Sequence, residues 1–368
     1  MIVFQYQVDE KITLELQSPY HDKELFTLVN ENRDFIGQHL TWAYKVNYLK
    51  DIQSYMKRDL QGMANARRWA WMIRYDGQAV GKIGLFITMP SLEECELHYF
   101  LSENFTGKGI ITKSAKIVTD FAINVLNLKH VLIGFSTQNP KSGAVAERLG
   151  FQYEYTMEDS EYHPDGWRSL HFWGILADEW HSTVKPTFDY AISNNLTLRL
   201  YQSHQCQAKY NLLKNNIPEF RKWFWWANKD YSLTYEQDIA RNNLRRYMQK
   251  QALGITIWQD KYLVGNSTLS IDTQNSSGNI GYWLDKSARG QGIMTQTVHA
   301  LLQEAFTVYD VERVGILAGL ENQGSRAIAE RFGIQLELIQ RDETFINNKF
   351  VDHVQYSLLR EEWKEKQT

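Results

Sequence analysis

Two glycine-bearing segments of the chain have the composition and position of phosphate-binding loops. Each lies between a stretch with the two-residue alternation of a strand and a stretch with the apolar periodicity of a helix. Glycines there let backbone N–H groups converge on one point, and the start of the helix adds a partial positive charge. We therefore expect a pyrophosphate group to bind at Thr106, Gly107, Lys108, Gly109 and Ile110 and at Arg289, Gly290, Gln291, Gly292 and Ile293.

The loop signal taken alone has a structural alternative, because a glycine-rich turn between a strand and a helix is often only a tight connection. Neither segment has the spacing of a Walker loop or of the G-x-G-x-x-G dinucleotide motif. What favours ligand binding is that the turn occurs twice in the same context.

A carboxylate and an imidazole precede the first loop. Glu96 and His98 lie two residues apart in a predicted strand, so both side chains point to one face of the sheet. Both groups can accept a proton from a reacting amine. Each also has a structural alternative: an ion-paired carboxylate for Glu96, and a packed, hydrogen-bonded ring for His98. The second half has Asn279 and Gly281 at the corresponding positions.

An asparagine and a serine three residues later follow each loop, at Asn139 and Ser142 and again at Asn322 and Ser325. They stand at the start of a short predicted helix. Side chains of these types at a helix start commonly satisfy free backbone N–H groups. A second role, in ligand binding and proton transfer, depends on the resemblance described below.

All of these features occur twice at one separation. Gly109 and Gly292, like Asn139 and Asn322, are 183 residues apart in a chain of 368 residues. Each copy is long enough to bury its own core, which predicts two domains of one fold rather than a solenoid. We assign the domains to residues 1–182 and 183–368, with the boundary in the aperiodic stretch near His181–Asp189.

The elements that must position these residues follow the same order in both halves. An opening strand precedes two helical stretches, a hairpin and a short strand that runs into the loop. After the loop come an amphipathic helix, a buried strand, the short helix headed by Asn and Ser, and two closing strands. Helices that cover a mixed sheet predict an α/β fold with mixed α+β layers in each half.

The composition argues against several classes of function. A net charge of −3 and a pI near 6.4 argue against general nucleic-acid binding. Cys95 and Cys206 are not equivalent in the repeat, which argues against a disulfide framework and a paired catalytic thiol. The ten histidines are scattered without a zinc-binding pattern, so we expect no metal site. The absence of a long apolar run or a leader pattern predicts a cytoplasmic protein without a membrane partner.

The second glycine segment carries a resemblance to a known family. Arg289, Gly292 and Met294 occupy the first, fourth and sixth positions of a segment similar to the acetyl-CoA loop R/Q-x-x-G-x-G/A of the GNAT N-acetyltransferases. Met294 departs from that pattern at the sixth position. The first half keeps Gly109 but has Thr106 where the family usually has arginine or glutamine.

Other parts of the chain support the same resemblance. The two Asn-x-x-Ser segments are similar to those of the GNAT family. The stretches at residues 30–42 and 215–226 resemble the subgroup that acetylates the N-termini of ribosomal proteins. The resemblance therefore covers nearly the whole chain, twice.

The resemblance implies two tandem GNAT domains, each with a partly splayed sheet that binds acetyl-CoA as cosubstrate. In that family the loop amides take the pyrophosphate, and the acceptor amine attacks the thioester directly. A backbone N–H of the strand before the loop polarises the thioester carbonyl. The resemblance further implies that Asn139 and Asn322 hold the pantetheine arm, that Ser142 and Ser325 supply the proton for the departing thiolate, and that Glu96 or His98 is the base.

The sequence thus predicts an enzyme that moves acetyl from acetyl-CoA to a primary amine, with a protein or peptide N-terminus as the expected acceptor. Three alternatives stay open: a polyamine or antibiotic acetyltransferase, a non-enzymatic acyl-CoA sensor or interaction module, and an aminoacyl-tRNA-dependent transferase. The second half has the better loop and the first half has the candidate bases, so one half could bind CoA without catalysis. The oligomeric state is open, and packing of the two halves as a pseudo-dimer is one arrangement.

Overall fold

The computed structural model of the chain describes residues 1–228, 231–346 and 349–366. The chain forms two compact units, which we call the first unit (Gln5–Phe188) and the second unit (Met1–Phe4 with Asp189–Thr368). Among the described residues, no helix is both long and apolar enough to cross a membrane.

The first unit, all of whose residues are described, is built on one sheet with helices on both faces. Its elements are β1 (Gln5–Gln7), β2 (Ile12–Leu16), α1 (Asp22–Glu31), α2 (Arg33–Gly37), α3 (Leu49–Ala64), β3 (Arg68–Tyr75), β4 (Gln78–Met89), β5 (Glu94–Leu101), α4 (Ile110–Asn124), β6 (His130–Ser136), α5 (Pro140–Arg148), β7 (Gln152–His163) and β8 (Gly166–Leu176).

The second unit repeats this order of elements. They are β9 (Asp189–Ser193), β10 (Leu196–Leu200), α6 (Cys206–Phe220), α7 (Leu233–Met248), β11 (Ala252–Gln259), β12 (Tyr262–Asp272), β13 (Ser277–Leu284), α8 (Ile293–Thr307), β14 (Arg313–Gly319), α9 (Gln323–Arg331), β15 (Gln335–Ile346), β16 (Lys349–Leu359) and α10 (Arg360–Glu365).

Strand order is the same in both units. It runs β1-β2-β3-β4-β5-β6-β8-β7 in the first unit and β9-β10-β11-β12-β13-β14-β16-β15 in the second. Strands β5 and β6 pair in parallel, as do β13 and β14, whereas the other neighbours described above are antiparallel. The parallel pair needs a crossover, which α4 and α8 supply.

The two parallel strands separate along their length in each unit. The β5–β6 ladder runs from Glu94↔His130 to Leu97↔Ile133 and then stops. The β13–β14 ladder runs from Ser277↔Arg313 only to Asn279↔Gly315. Beyond those points the carboxyl ends of the strands face a gap, and each glycine loop begins at the end of the strand beside that gap. The predicted fold class, a partly splayed mixed sheet flanked by helices, is confirmed.

Alternation along β3, β4 and β5 assigns side chains to the two faces of the first sheet. Lys82 lies opposite Phe100 and points toward α3, where its Nζ is 2.5 Å from Asp59 Oδ2. On the other face Trp71 packs edge-on against Phe121 of α4, with ring centroids 5.3 Å apart. The helices therefore cover a sheet that is apolar on one face and carries a buried ion pair on the other.

The first four residues of the chain pack within the second unit. Ile2 and Phe4 are buried, and the backbone N–H of Ile2 donates to Glu304 Oε2 on α8 at 2.7 Å. Burial raises the pKa of the Glu304 carboxyl, while this hydrogen bond opposes the rise. A segment that precedes the first unit thus contacts a side chain of α8 about 300 residues later in the sequence.

The buried pair of Lys82 and Asp59 gives a first testable prediction. Burial acts to raise the pKa of Asp59, but the attraction of Lys82 outweighs it and holds the pKa below its usual value. Lys82→Met leaves this carboxylate buried, with the guanidinium of Arg68 at 3.7 Å as its remaining ion-pair partner in the first unit. We expect the free energy of unfolding to fall by about 3 kcal/mol, measured by urea denaturation.

Two variants control this experiment. The double variant Asp59→Leu with Lys82→Met should recover most of the lost stability, because no unpaired charge remains. Lys11→Met breaks an exposed pair with Asp76 and should change stability by less than about 1 kcal/mol. A double variant as unstable as Lys82→Met would contradict the electrostatic explanation.

Candidate active site

The two glycine loops have the same backbone conformation. Gly107 and Gly109 have φ of 77° and 73°, and Gly290 and Gly292 have φ of 76° and 74°. An L-residue held in this left-handed region costs roughly 1–2 kcal/mol. Gly109 and Gly292 are the N-cap residues of α4 and α8. Their left-handed conformation lets the chain turn from the end of the strand into the first turn of the helix.

The loops leave space and free donors where a ligand would lie. A Cβ added at Gly107, Gly109 or Gly290 would meet no atom within 4 Å. Packing therefore does not require these glycines. The backbone hydrogen bonds of α4 and α8 begin at Lys113 N and Gln296 N, so the N–H groups of the preceding turn have no helical acceptor. An open concave turn with unpaired N–H groups fits a pyrophosphate.

The side chain of the first residue in each loop is hydrogen-bonded to other protein groups. Arg289 pairs with Glu219 and donates through Nε to the carbonyl of Leu284 at 3.3 Å. Thr106 Oγ1 donates to Glu103 O at 2.9 Å. Arg289 therefore links its loop to α6 and to the end of β13. The shorter Thr106 side chain cannot make such a link in the first unit.

The remaining predicted loop residues divide by environment. Lys108 lies over the rings of Tyr75 and Phe105, at 5.3 and 4.6 Å from their centroids. Gln291 donates to Ser287 O at 3.0 Å. Ile110 and Ile293 are buried. Their side chains belong to the core, so only their backbone N–H groups are placed to bind a ligand.

Asn139 and Asn322 are helix caps. The Oδ1 atom of Asn139 accepts a hydrogen bond from Ser142 N at 3.3 Å, and that of Asn322 accepts one from Ser325 N at 3.2 Å. The structural alternative that the sequence left open is thus present in both units. The Nδ2 group of each amide is a donor that capping does not use.

Two tyrosines that the sequence analysis did not single out form hydrogen bonds with the two predicted serines. Tyr99 Oη lies 2.7 Å from Ser142 Oγ, and Ser325 Oγ donates to Tyr282 Oη at 3.1 Å. Burial raises the pKa of both phenols to about 12, so both stay protonated near neutral pH. The signal that could have found them is the repeat, because Tyr99 and Tyr282 are also 183 residues apart.

Glu96 and His98 lie on one face of β5, the face that Lys82 and α3 share. Burial, reinforced by the charge of Glu94, raises the pKa of Glu96 to about 7. Burial lowers the pKa of His98 to about 4, and its buried Nδ1 has no hydrogen-bond partner. Of these two side chains, Glu96 is therefore the one whose pKa lies near neutral pH.

The gap between β13 and β14 opens into a cavity of about 1050 Å³ in the second unit. It reaches the glycine loop, Asn322 and Ser325 on one side of the sheet. On the other side it reaches α6 and the aromatic residues that follow it. Its walls include Phe220, Trp223, Phe224, Trp225, Trp226, Tyr282, Trp283, Arg289, Gly290, Gly292 and Ile293.

Neither cysteine takes part in these sites. Cys95 and Cys206 are free and buried. Burial raises the pKa of both thiols, which disfavours a nucleophilic thiolate. Within the described part of the chain, no group of His, Cys, Asp or Glu side chains is arranged to hold a metal ion.

Comparison with known proteins matches each half of the chain separately. A family model described as an acetyltransferase (GNAT) domain matches residues 12–152 and again residues 195–335. The putative ribosomal N-acetyltransferase YdaF of Bacillus subtilis (strain 168) is 31% identical over 179 residues, which are 48% of this chain and 98% of that protein.

Two further similarities concern ribosomal-protein acetyltransferases. The ribosomal-protein-serine acetyltransferase of Escherichia coli (strain K12) is 25% identical over 174 residues, 47% of this chain and 96% of that protein. The solved structure of RimL, a ribosomal L7/L12 alpha-N-protein acetyltransferase in complex with coenzyme A, covers 46% of this chain and 97% of its own. It aligns with 26% identity and a TM-score of 0.45.

The cap geometry of Asn139 separates its structural role from ligand binding. Asn139→Ala should lower the stability of the first unit by about 1 kcal/mol, because the Ser142 N–H loses its acceptor. Asn139→Asp keeps an acceptor oxygen but loses the Nδ2 donor. We expect its thermal unfolding to match the parent while its affinity for coenzyme A falls, measured by calorimetry. Full affinity in Asn139→Asp would show that Asn139 is a cap alone.

Proposed function

This chain belongs to the GNAT family of acetyltransferases, and from that premise we propose that its first unit acetylates the N-terminal amine of a protein. The chain is an acyl-CoA-dependent N-acetyltransferase, and acetyl-CoA is its cosubstrate. The observation that carries the proposal is Glu96, whose pKa is raised to about 7 on the strand that runs into the first glycine loop.

The first loop supports binding of the cosubstrate. Acetyl-CoA supplies an acetyl group as a thioester. The N–H groups that open α4, with the open turn at Gly107 and Gly109, are suited to its pyrophosphate. The Nδ2 group of Asn139 and the gap between β5 and β6 are suited to the pantetheine arm.

Glu96 supports proton removal from the acceptor. A general base works best when its pKa lies near the working pH, and about 7 meets that condition. The acceptor amine must lose a proton before or during attack. An α-amine, with a pKa near 8, gives up its proton to such a base far more readily than a lysine ε-amine near 10.4. His98 stays the second candidate, but a pKa of about 4 makes it the weaker base.

Ser142 and Tyr99 support proton donation to the leaving sulfur. Tyr99 stays protonated at neutral pH and holds the Ser142 hydroxyl at 2.7 Å, so the pair presents an O–H donor beside the strand gap. The second unit has the same pair in Tyr282 and Ser325. Direct transfer to the amine agrees with the burial of both cysteine thiols, which leaves no thiolate to form an acyl-enzyme.

The acceptor class rests on the relatives and on charge. YdaF is named as a putative ribosomal N-acetyltransferase, and the Escherichia coli relative acts on a ribosomal-protein serine. Exposed acids on the β7–β8 hairpin, such as Glu158 and Asp159, suit a cationic amine. A small-molecule amine is the alternative acceptor. As part of the proposal we assign the reaction to the cytoplasm, where acetyl-CoA and newly made protein N-termini meet.

The pKa of Glu96 predicts how activity depends on pH. Because the ionised carboxylate is the base and its pKa is raised, kcat at saturating substrates should rise with unit slope up to about pH 7 and then level. Glu96→Gln should lower kcat at least about 100-fold and should abolish the rise of kcat with pH, which we call the acidic limb of the profile. Steady-state assays on an N-terminal peptide panel from pH 5 to 9 measure both.

Glu94→Gln is the matched control for that profile. It removes the neighbouring negative charge that helps to raise the pKa of Glu96, so the limb should move to lower pH while activity persists. A limb near pH 7 that survives in Glu96→Gln would assign the proton to another group.

The two loops predict two donor sites per chain. Calorimetric titration with acetyl-CoA should give a stoichiometry near two, and Gly109→Glu and Gly292→Glu should each reduce it to one. Gly109→Glu should abolish transfer, whereas Gly292→Glu should retain it. Gly150→Glu, at a position with φ of 83° and open space, introduces the same strain and charge away from the loops. Equal loss of transfer in both loop variants would contradict a single catalytic unit.

A further inference from the structure

We propose that the second unit binds a CoA thioester with a bulky, uncharged, apolar acyl group, in the cavity between β13 and β14. This inference rests on the proposed function, because it takes the second glycine loop as a CoA site. It differs from that function in the acyl group that the site takes.

The first observation is a side chain that the second unit lacks. In the first unit the imidazole of His98 fills the space over Gly84, where an added Cβ would lie 2.7 Å from its Nε2. The equivalent residue of the second unit is Gly281, where an added Cβ would meet nothing within 4 Å. Gly281 lines the cavity, so the volume of an imidazole is open there.

The second observation is the wall that faces this space. Gly281 and Trp283 lie on the same face of β13, and the ring of Trp283 packs against Phe220 at 5.5 Å. Trp223 lies over Gly319 of β14, within 3.3 Å of where a Cβ would be. Trp225 lines the same cavity with half of its side-chain surface exposed. Aromatic faces of this kind bind flat apolar groups.

The third observation is the distribution of charge. Among the described residues that line the cavity, no carboxylate is present, and the ionisable basic side chains are Arg289, Arg331 and His353. Both arginines lie at the loop end, where Arg331 donates to Thr295 in the first turn of α8 at 3.2 Å. The position of Glu96 is held by the neutral Asn279. A cationic amine would find no carboxylate counter-charge there.

These observations fit the successive parts of a CoA thioester. Arg331 and the free N–H groups at the loop suit the phosphates of CoA, and the strand gap suits the pantetheine. The uncharged aromatic chamber beyond Gly281 suits an apolar acyl group larger than acetyl. Burial of an aromatic ring in this chamber is expected to raise affinity about tenfold or more.

The test uses the full chain with Gly109→Glu. This substitution is expected to abolish CoA binding at the first loop, so that binding at the second site is measured alone. Phenylacetyl-CoA and acetyl-CoA are titrated calorimetrically. We expect phenylacetyl-CoA to bind at least about tenfold more tightly. Adding Gly281→His, the residue of the first unit, should reduce this preference to less than about threefold. Trp225→Ala, a second variant at an exposed side chain, should also reduce it.

The outcomes separate the two proposals. Equal or weaker binding of phenylacetyl-CoA, with acetyl-CoA still bound, overturns this inference and leaves the CoA assignment of the second loop intact. A preference unchanged in both Gly281→His and Trp225→Ala also overturns it. If neither thioester binds in the Gly109→Glu background, the second loop is not a CoA site and both this inference and the two-site prediction fail.

Discussion

The architecture of each unit depends on one constraint, the early end of a parallel strand pairing. Backbone N–H and C=O groups on the facing edges of β5 and β6, or of β13 and β14, cannot pair once the strands separate. Buried backbone groups need partners, so a gap of this kind is stable when a polar ligand chain or water supplies them. In each unit the glycine loop and the helix that begins with Asn and Ser (α5 or α9) lie at the edges of this gap. In the second unit the aromatic residues after α6 lie there too.

The two units show how one backbone can carry two sets of electrostatics. In the first unit His130 lies between Glu94 and Glu154, with ring nitrogens 3.1 and 2.6 Å from their carboxylates. At the same place in the second unit Arg313 pairs with Glu337. A guanidinium there replaces an imidazole ring. Together with Asn279 in place of Glu96, this gives the two units different charged groups on the strands beside the gap.

The sequence predicted what is local and repeated. The loops, the capped helices and the mixed sheet each follow from short patterns that occur twice, and the resemblance supplied the splayed strands. The sequence could not predict the Tyr99–Ser142 contact, because 43 residues and a crossover helix separate the two side chains along the chain. Nor could it show that Arg289 braces its loop through Glu219, or that Trp225 faces a cavity while Trp42 stacks on Tyr55 at 4.7 Å. Such contacts depend on tertiary packing and not on local propensity.

The packing of Ile2 and Phe4 within the second unit has a consequence for the order in which the chain folds. During synthesis these residues emerge about 300 residues before their partner Glu304. The second unit therefore cannot complete its core until α8 has been made, and it must then bind a segment that precedes the whole first unit in the chain. Closing so long a loop is entropically costly but only weakly length-dependent. Folding of the second unit is thereby coupled to a segment on the other side of the first unit in the sequence, as well as to its own contiguous residues.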